Sequence, residues 1–217
     1  MTQRKEALVT GEIYHIFNKS IAGFEIFNSD TDLLRIKNVI RYYQVENNLI
    51  SFSNFIKTKQ NVSRLYFLEE DPLVTIIAYC IMPTHLHLVI KQLKDDGIEK
   101  FITNILNSYS RYFNIKHNRK GPLWEGRFKS VLVKSDEQLL HLTRYLHLNP
   151  VTSYLVKKPE EWNISSYKEY LSEVKAENAL CQYNDIIDIN PKKYKEFVED
   201  RISYQRELAK IKDTMLE

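Results

Sequence analysis

The first patterned stretch, EIYHIFNK (12–19), puts Ile13, His15 and Phe17 on one side of a chain of period two and Tyr14 and Ile16 on the other, as a strand does. The period becomes helical over NSDTDLLRIKNVIRYYQVENN (28–48). There Leu33, Leu34, Ile36, Val39 and Ile40 make an apolar stripe behind a cap at Ser29 or Asp30. SRLYFLEED (63–71) reads as a strand or an inserted hairpin. LVTIIAYCI (73–81) is β-branched and apolar enough for a central strand, MPT breaks it, and HLHLVIKQ (85–92) returns as another. A long helix is predicted over 97–117, with Ile98, Phe101, Ile102, Ile105 and Leu106 at helical spacing and Gly121 and Pro122 beyond its end. GRFKSVLVKS (126–135) is a further strand. DEQLLHLTRYLHLNP is helical and is expected to stop at Pro150, and the tail from Pro191 reads as one more amphipathic helix with a solvated charged face.

Strand, helix, strand, strand, helix, strand is the order of a ferredoxin-like antiparallel sheet with helices packed on one face. The expectation is therefore an α+β unit over residues 1–172 followed by a helical C-terminal extension, 173–217. Composition is consistent with this: 217 residues, 43% hydrophobic and 27% charged, with few Gly and Pro and no low-complexity tract or repeat. The N-terminal stretch lacks the apolar core of a signal peptide, and no apolar run reaches membrane-spanning length. Cys80 and Cys181 are too few for a disulfide framework and lack zinc-finger spacing. A cytoplasmic protein with no membrane partner is the natural reading.

A formal net charge of +3 implies no polyanion by itself, but its distribution is uneven. Between Arg111 and Lys134 there are seven Lys or Arg and one acid, Glu125, interleaved with Tyr112, Phe113, Trp124 and Phe128. Cations neutralise phosphates and flat rings stack on bases, so this mixture suits single-stranded nucleic acid. A solvated basic face with its aromatics turned into the core would read the same way.

The chemistry centres on MPTHLHLVI (82–90). In a strand His85 and His87 leave the same side, opposite Leu86, Leu88 and Ile90, and two imidazoles so aligned can ligate one metal ion. A structural pair is the alternative. The following helix carries LNSYSRYFN (106–114). A tyrosine there, packed across the sheet and overhanging the histidines, would be a nucleophile toward phosphorus, given a metal to polarise the phosphate, because a free phenol near pKa ~10 is a weak one.

From Tyr14 to Tyr170 the chain resembles the HUH single-tyrosine transposases, the REP-associated tyrosine transposases in particular. The resemblance is carried by YHIFNKS, YCIMPTHLHLVI, SYSRYFN, GPLWEGRFKSVLV, YLHLNPV and WNISSYKEY, in that order. It implies His85 and His87 as ligands of Mg²⁺ or Mn²⁺ and Tyr109 as the nucleophile, with Tyr112 as its rival. Some relatives supply a third, polar ligand one turn after the tyrosine. Phe113 stands there and cannot ligate, Asn114 lies well round the helix, and His15 is another conceivable contributor. Arg127 and Lys129 would contact the DNA backbone, Trp124 would stack on a base, and Arg119 and Lys120 would meet phosphates. YLHLNPV and WNISSYKEY read as packing motifs without chemistry. The implied activity is metal-dependent nuclease and strand transfer on single-stranded or hairpin DNA through a 5′-phosphotyrosine link, in a monomer or a possible homodimer. A non-catalytic nucleic-acid-binding protein on the same fold is the alternative, and a zinc hydrolase lacks a convincing third ligand.

Overall fold

A computed structural model describes residues 7–46, 50–58 and 71–206. Its strands are β1 (Ile13–Lys19), β2 (Val74–Met82), β3 (His85–Gln92) and β4 (Lys129–Leu132); its helices are α1 (Asp30–Tyr43), α2 (Phe52–Lys57), α3 (Gly97–Lys116), α4 (Asp136–Thr152), α5 (Tyr167–Tyr170) and α6 (Pro191–Glu199). The strands form one antiparallel sheet in the order β2-β3-β1-β4, which is the expected ferredoxin-like arrangement. The expected strand or hairpin at 63–71 falls almost wholly outside the described residues, as do the last residues of the C-terminal helix.

Side-chain capping sets where the helices start. Ser29 Oγ accepts from Asp32 N at 3.2 Å to open α1, and Ser135 Oγ accepts from Gln138 N at 3.1 Å to open α4. Leu34, expected in the α1 stripe, is instead exposed. Pro150 does not end α4, which runs on to Thr152. A proline lacks an N–H to donate but keeps its carbonyl, which accepts from Leu155 N at 2.9 Å, and Ser153 N bonds Asn149 O at 2.9 Å.

The sheet has two differently covered faces. Tyr14, Ile16, Leu86, Leu88, Ile90, Ile76, Tyr79 and Ile81 pack on α1 and α3 in the larger core. On the opposite face, Cys80, Met82 and Val89 pack with Leu139, Leu146 and Leu148 of α4 and with Tyr167, Tyr170, Tyr194 and Val198. Helices therefore lie on both faces: the ferredoxin-like pair on one, and α4 with the C-terminal elements on part of the other. Leu180 belongs to the first core and Tyr194 and Val198 to the second, so residues beyond 172 pack into the same unit. The outer edge of β2 is closed by later segments, through Ile81 N to Ile164 O, Ser166 N to Tyr79 O and Gln182 N to Ile76 O.

Candidate active site

β2 and β3 are joined by the two-residue turn Pro83-Thr84, and the ladder places Met82 opposite His85 and Cys80 opposite His87. On the other side of β3, Lys19 stands opposite His85 and Phe17 opposite His87, and across β1 Lys129 stands opposite Phe17. Directly opposed residues share a face. One face therefore carries His85, His87, His15, Phe17, Lys19 and Lys129, where α4 leaves the sheet partly uncovered.

The two rings are nearly perpendicular, with centroids 4.9 Å apart. Each has its Nδ1 engaged: His85 with Thr84 Oγ1 at 2.9 Å, His87 with His15 Nε2 at 3.0 Å. Burial holds His85 at a pKa of about 4 and His87 at about 3, with the Lys19 charge lowering both and the neighbouring histidines lowering His87 further. Both are neutral at neutral pH, the form in which imidazole is a ligand. Among the described residues no three His, Cys, Asp or Glu side chains gather as a metal set.

The tyrosine beside this pair is Tyr145 of α4. Its ring stands edge-on to His87 at 6.2 Å, and the residue is 41% exposed. Burial of the phenol raises its pKa, and the side-chain amide of Asn149, one helical turn on, offsets part of that rise. The Nδ2 atom of Asn149 is buried without a hydrogen-bond partner.

Tyr109, expected as the nucleophile, lies across the sheet. It is 0% exposed in the larger core, its hydroxyl donates to Ile26 O, and its ring packs on Phe27 at 4.8 Å. Burial pushes its phenol pKa far up. The helical stripe Ile98, Phe101, Ile102, Ile105 continues to Tyr109, and that stripe packs on the Leu86, Leu88, Ile90 face, so the histidines point away from it. Tyr112 is on the same side, bonded to Asp32 Oδ1 at 3.0 Å. The expectation that α3 overhangs the histidines is corrected accordingly.

Of the expected DNA contacts, Lys129 alone shares the histidine face, its Nζ 6.0 Å from the Phe17 ring centroid. Trp124 donates to Leu106 O at 3.1 Å and packs on the larger core, the ring contact to Phe27 being 6.2 Å. Arg119 bonds Asn114 Oδ1 at 3.0 Å and Pro122 O at 2.7 Å, and with exposed Lys120 it lines an open groove of about 800 Å³ along the outer side of α3. Arg127 pairs with Glu99 at 3.0 Å. Lys19, on the histidine face, was not anticipated; its position two residues after Phe17 in the β1 alternation was the available signal. The signal for Tyr145 was its place in a helix after β4, beyond the strand order that the ferredoxin-like reading used.

No helix among the described residues is long and apolar enough to cross a membrane. Residues 64–149 match the family model described as "Transposase IS200 like". A Haemophilus influenzae protein assigned as a REP-associated tyrosine transposase is 29% identical over 119 residues, a stretch spanning 50% of this chain and 65% of that protein. The fold matches a solved REP-associated tyrosine transposase bound to a REP hairpin, with a TM-score of 0.52 and 13% identity over 88% of this chain and 96% of that one. In sequence and in fold, this chain resembles the IS200-like transposases and, among them, the REP-associated tyrosine transposases.

Proposed function

We propose that this chain is a metal-dependent nuclease and strand transferase on single-stranded or hairpin DNA, with Tyr145 as its nucleophile. The observation that carries the assignment is the placement of Tyr145, at the rim of the histidine face and against His87, while Tyr109 is sealed on the far side of the sheet. The Nε2 atoms of His85 and His87 would hold Mg²⁺ or Mn²⁺. The third ligand would be the Asn149 amide, whose oxygen and nitrogen exchange places by a half-turn and whose inner atom has no partner. Two neutral imidazoles and an amide make a mixed nitrogen and oxygen set that leaves positions for phosphate oxygen and water. When bound, the cation would polarise the scissile phosphate and offset its charge.

Tyr145 Oη would attack phosphorus in line, forming the Tyr–O–P bond as the P–O3′ bond breaks and the 3′-oxygen leaves as a hydroxyl. The phenol proton departs to solvent at the exposed rim, and the leaving 3′-oxygen takes up one from solvent. The resulting 5′-phosphotyrosine keeps the phosphodiester energy, so a second 3′-hydroxyl can reverse the step and join DNA without a nucleotide cofactor. Lys19 and Lys129 supply cations on the same face for flanking phosphates. The histidines and Tyr145 meet within one chain, so no helix need be exchanged between subunits. A hairpin substrate is supported by the solved relative, which was captured with one.

The test is covalent capture. The full chain is incubated with Mn²⁺ and a pool of end-labelled hairpin DNAs, and protein–DNA adducts are resolved on denaturing gels. The adduct is expected with wild type and Tyr109→Phe, and not with Tyr145→Phe or the His85→Ala/His87→Ala double variant. An adduct that survives Tyr145→Phe overturns the nucleophile assignment. Binding across the pool with no adduct from wild type would instead favour a non-catalytic DNA-binding protein.

A further inference from the structure

His15 belongs to β1, diagonal to His87 in the ladder and on the same face. The two rings stack with centroids 5.2 Å apart and planes 20° from parallel, and Phe17 packs on both, at 5.0 and 5.9 Å. Between His15 Nε2 and His87 Nδ1, 3.0 Å apart, there is room for one proton. Its location decides what His87 can do. If His15 donated, the proton of neutral His87 would sit on Nε2, and neither ring nitrogen would keep a free lone pair. If His87 donates from Nδ1, the Nε2 lone pair is open to a cation.

We propose that His15 is a positioning residue: its Nε2 accepts the Nδ1 proton of His87 and so locks His87 in the ring orientation and tautomer that present Nε2 to a divalent cation. The proposal rests on the reading that His85 and His87 hold that cation. Metal-binding histidines commonly donate their second N–H to a fixed acceptor, and loss of the acceptor typically costs about ten- to a hundredfold in affinity. For His85 the group within reach of Nδ1 is the Thr84 hydroxyl, at 2.9 Å; for His87 it is another imidazole. His15 itself is no ligand, because the lone pair it would need is spent on His87. The two nitrogens are 3.0 Å apart, so one of the rings must donate and the other accept.

The tautomer can be read directly. In long-range ¹⁵N–¹H spectra of the metal-free full chain at neutral pH, His87 and His15 should both carry the proton on Nδ1, with Nε2 bare. Finding His87 protonated on Nε2 overturns the proposal. The consequence is read by calorimetric titration with Mn²⁺ in the absence of DNA, on variants whose thermal melts show them folded. His15→Phe keeps the ring stack but has no acceptor, and its Mn²⁺ affinity should fall about ten- to a hundredfold. His15→Gln returns an amide oxygen at similar reach and should recover most of that loss. Wild-type affinity in His15→Phe, or equal weakness in both variants, would mean that His15 does not act as the acceptor. If His87→Ala binds Mn²⁺ as wild type does, or wild type binds none, the metal assignment itself fails, a result distinguishable from failure of the His15 role alone.

Discussion

Two tyrosines separate structure from chemistry at the scale of single residues. The Tyr109 hydroxyl donates to a buried carbonyl, that of Ile26. Tyr109→Phe leaves that acceptor without its partner where water cannot replace it, at a cost of about 1–3 kcal/mol. Tyr145 is half-exposed, so Tyr145→Phe should change stability by no more than about 0.5 kcal/mol. The expected result of urea unfolding on the two variants is therefore the reverse of the adduct assay: the stable variant is the one without adduct. A Tyr145→Phe protein destabilised as much as Tyr109→Phe would mark Tyr145 as a packing residue.

At the scale of elements, hydrophobic period found β1, β2, β3 and α3 to within a residue or two. Their order then gave the sheet, because a ferredoxin-like unit has few other ways to pair its strands. The histidine pair was equally readable from β3 alternation. What failed was the link between elements. Reading the apolar stripe of α3 as far as Tyr109, and setting it against Leu86 and Leu88, would have put that tyrosine across the sheet from His85 and His87. Short motif similarity outweighed that geometric argument. Tyr145 lay within the expected unit but beyond its last strand, on a helix whose neighbours Leu146 and Leu148 read only as packing. The third-ligand gap left by Phe113 would have the same origin if Tyr145 is the nucleophile, since one turn after it the chain carries Asn149.

The start of α3 also shows how tightly elements meet. Gly97 is its first residue, and a Cβ built there would stand 2.5 Å from the Leu73 carbonyl oxygen. That oxygen is a backbone atom and already accepts from Leu93 N at 3.0 Å, so it cannot turn aside as a side chain would. Gly97→Ala should destabilise by about 1–3 kcal/mol through this overlap, although alanine favours helix. Urea unfolding checks the sign: a stabilised Gly97→Ala protein would show that the junction of β2 and α3 has slack.

For the whole molecule, the two cores are tied by buried polar groups that reach from early strands to the C-terminal segment. Glu169 accepts from the Tyr79 hydroxyl at 2.8 Å and from Leu180 N and Cys181 N at 3.0 and 2.8 Å. His147 bonds the Tyr194 hydroxyl and Ser166 Oγ, both at 2.7 Å, and Ser166 in turn accepts from Tyr79 N. Burial holds His147 at a pKa of about 3 in the folded chain, against the 6.5 of a free imidazole. Between those values the unfolded chain binds a proton that the folded chain refuses. Stability contributed by the neutral ring is therefore intact above pH ~6.5 and is lost as pH falls through the window toward 3, with a slope of about 1.4 kcal/mol per pH unit for this one group. His15, His85 and His87 have folded pKa values lowered in the same direction and steepen the loss. Urea midpoints measured from pH 7.5 down to 4.5 should hold to about pH 6.5 and fall below it, and His147→Gln should lower the stability at neutral pH while making the acid slope shallower by one proton. An unchanged slope in that variant would mean that His147 takes up its proton in the folded chain, and that the network around Ser166 and Tyr194 opens to water before the rest of the fold gives way.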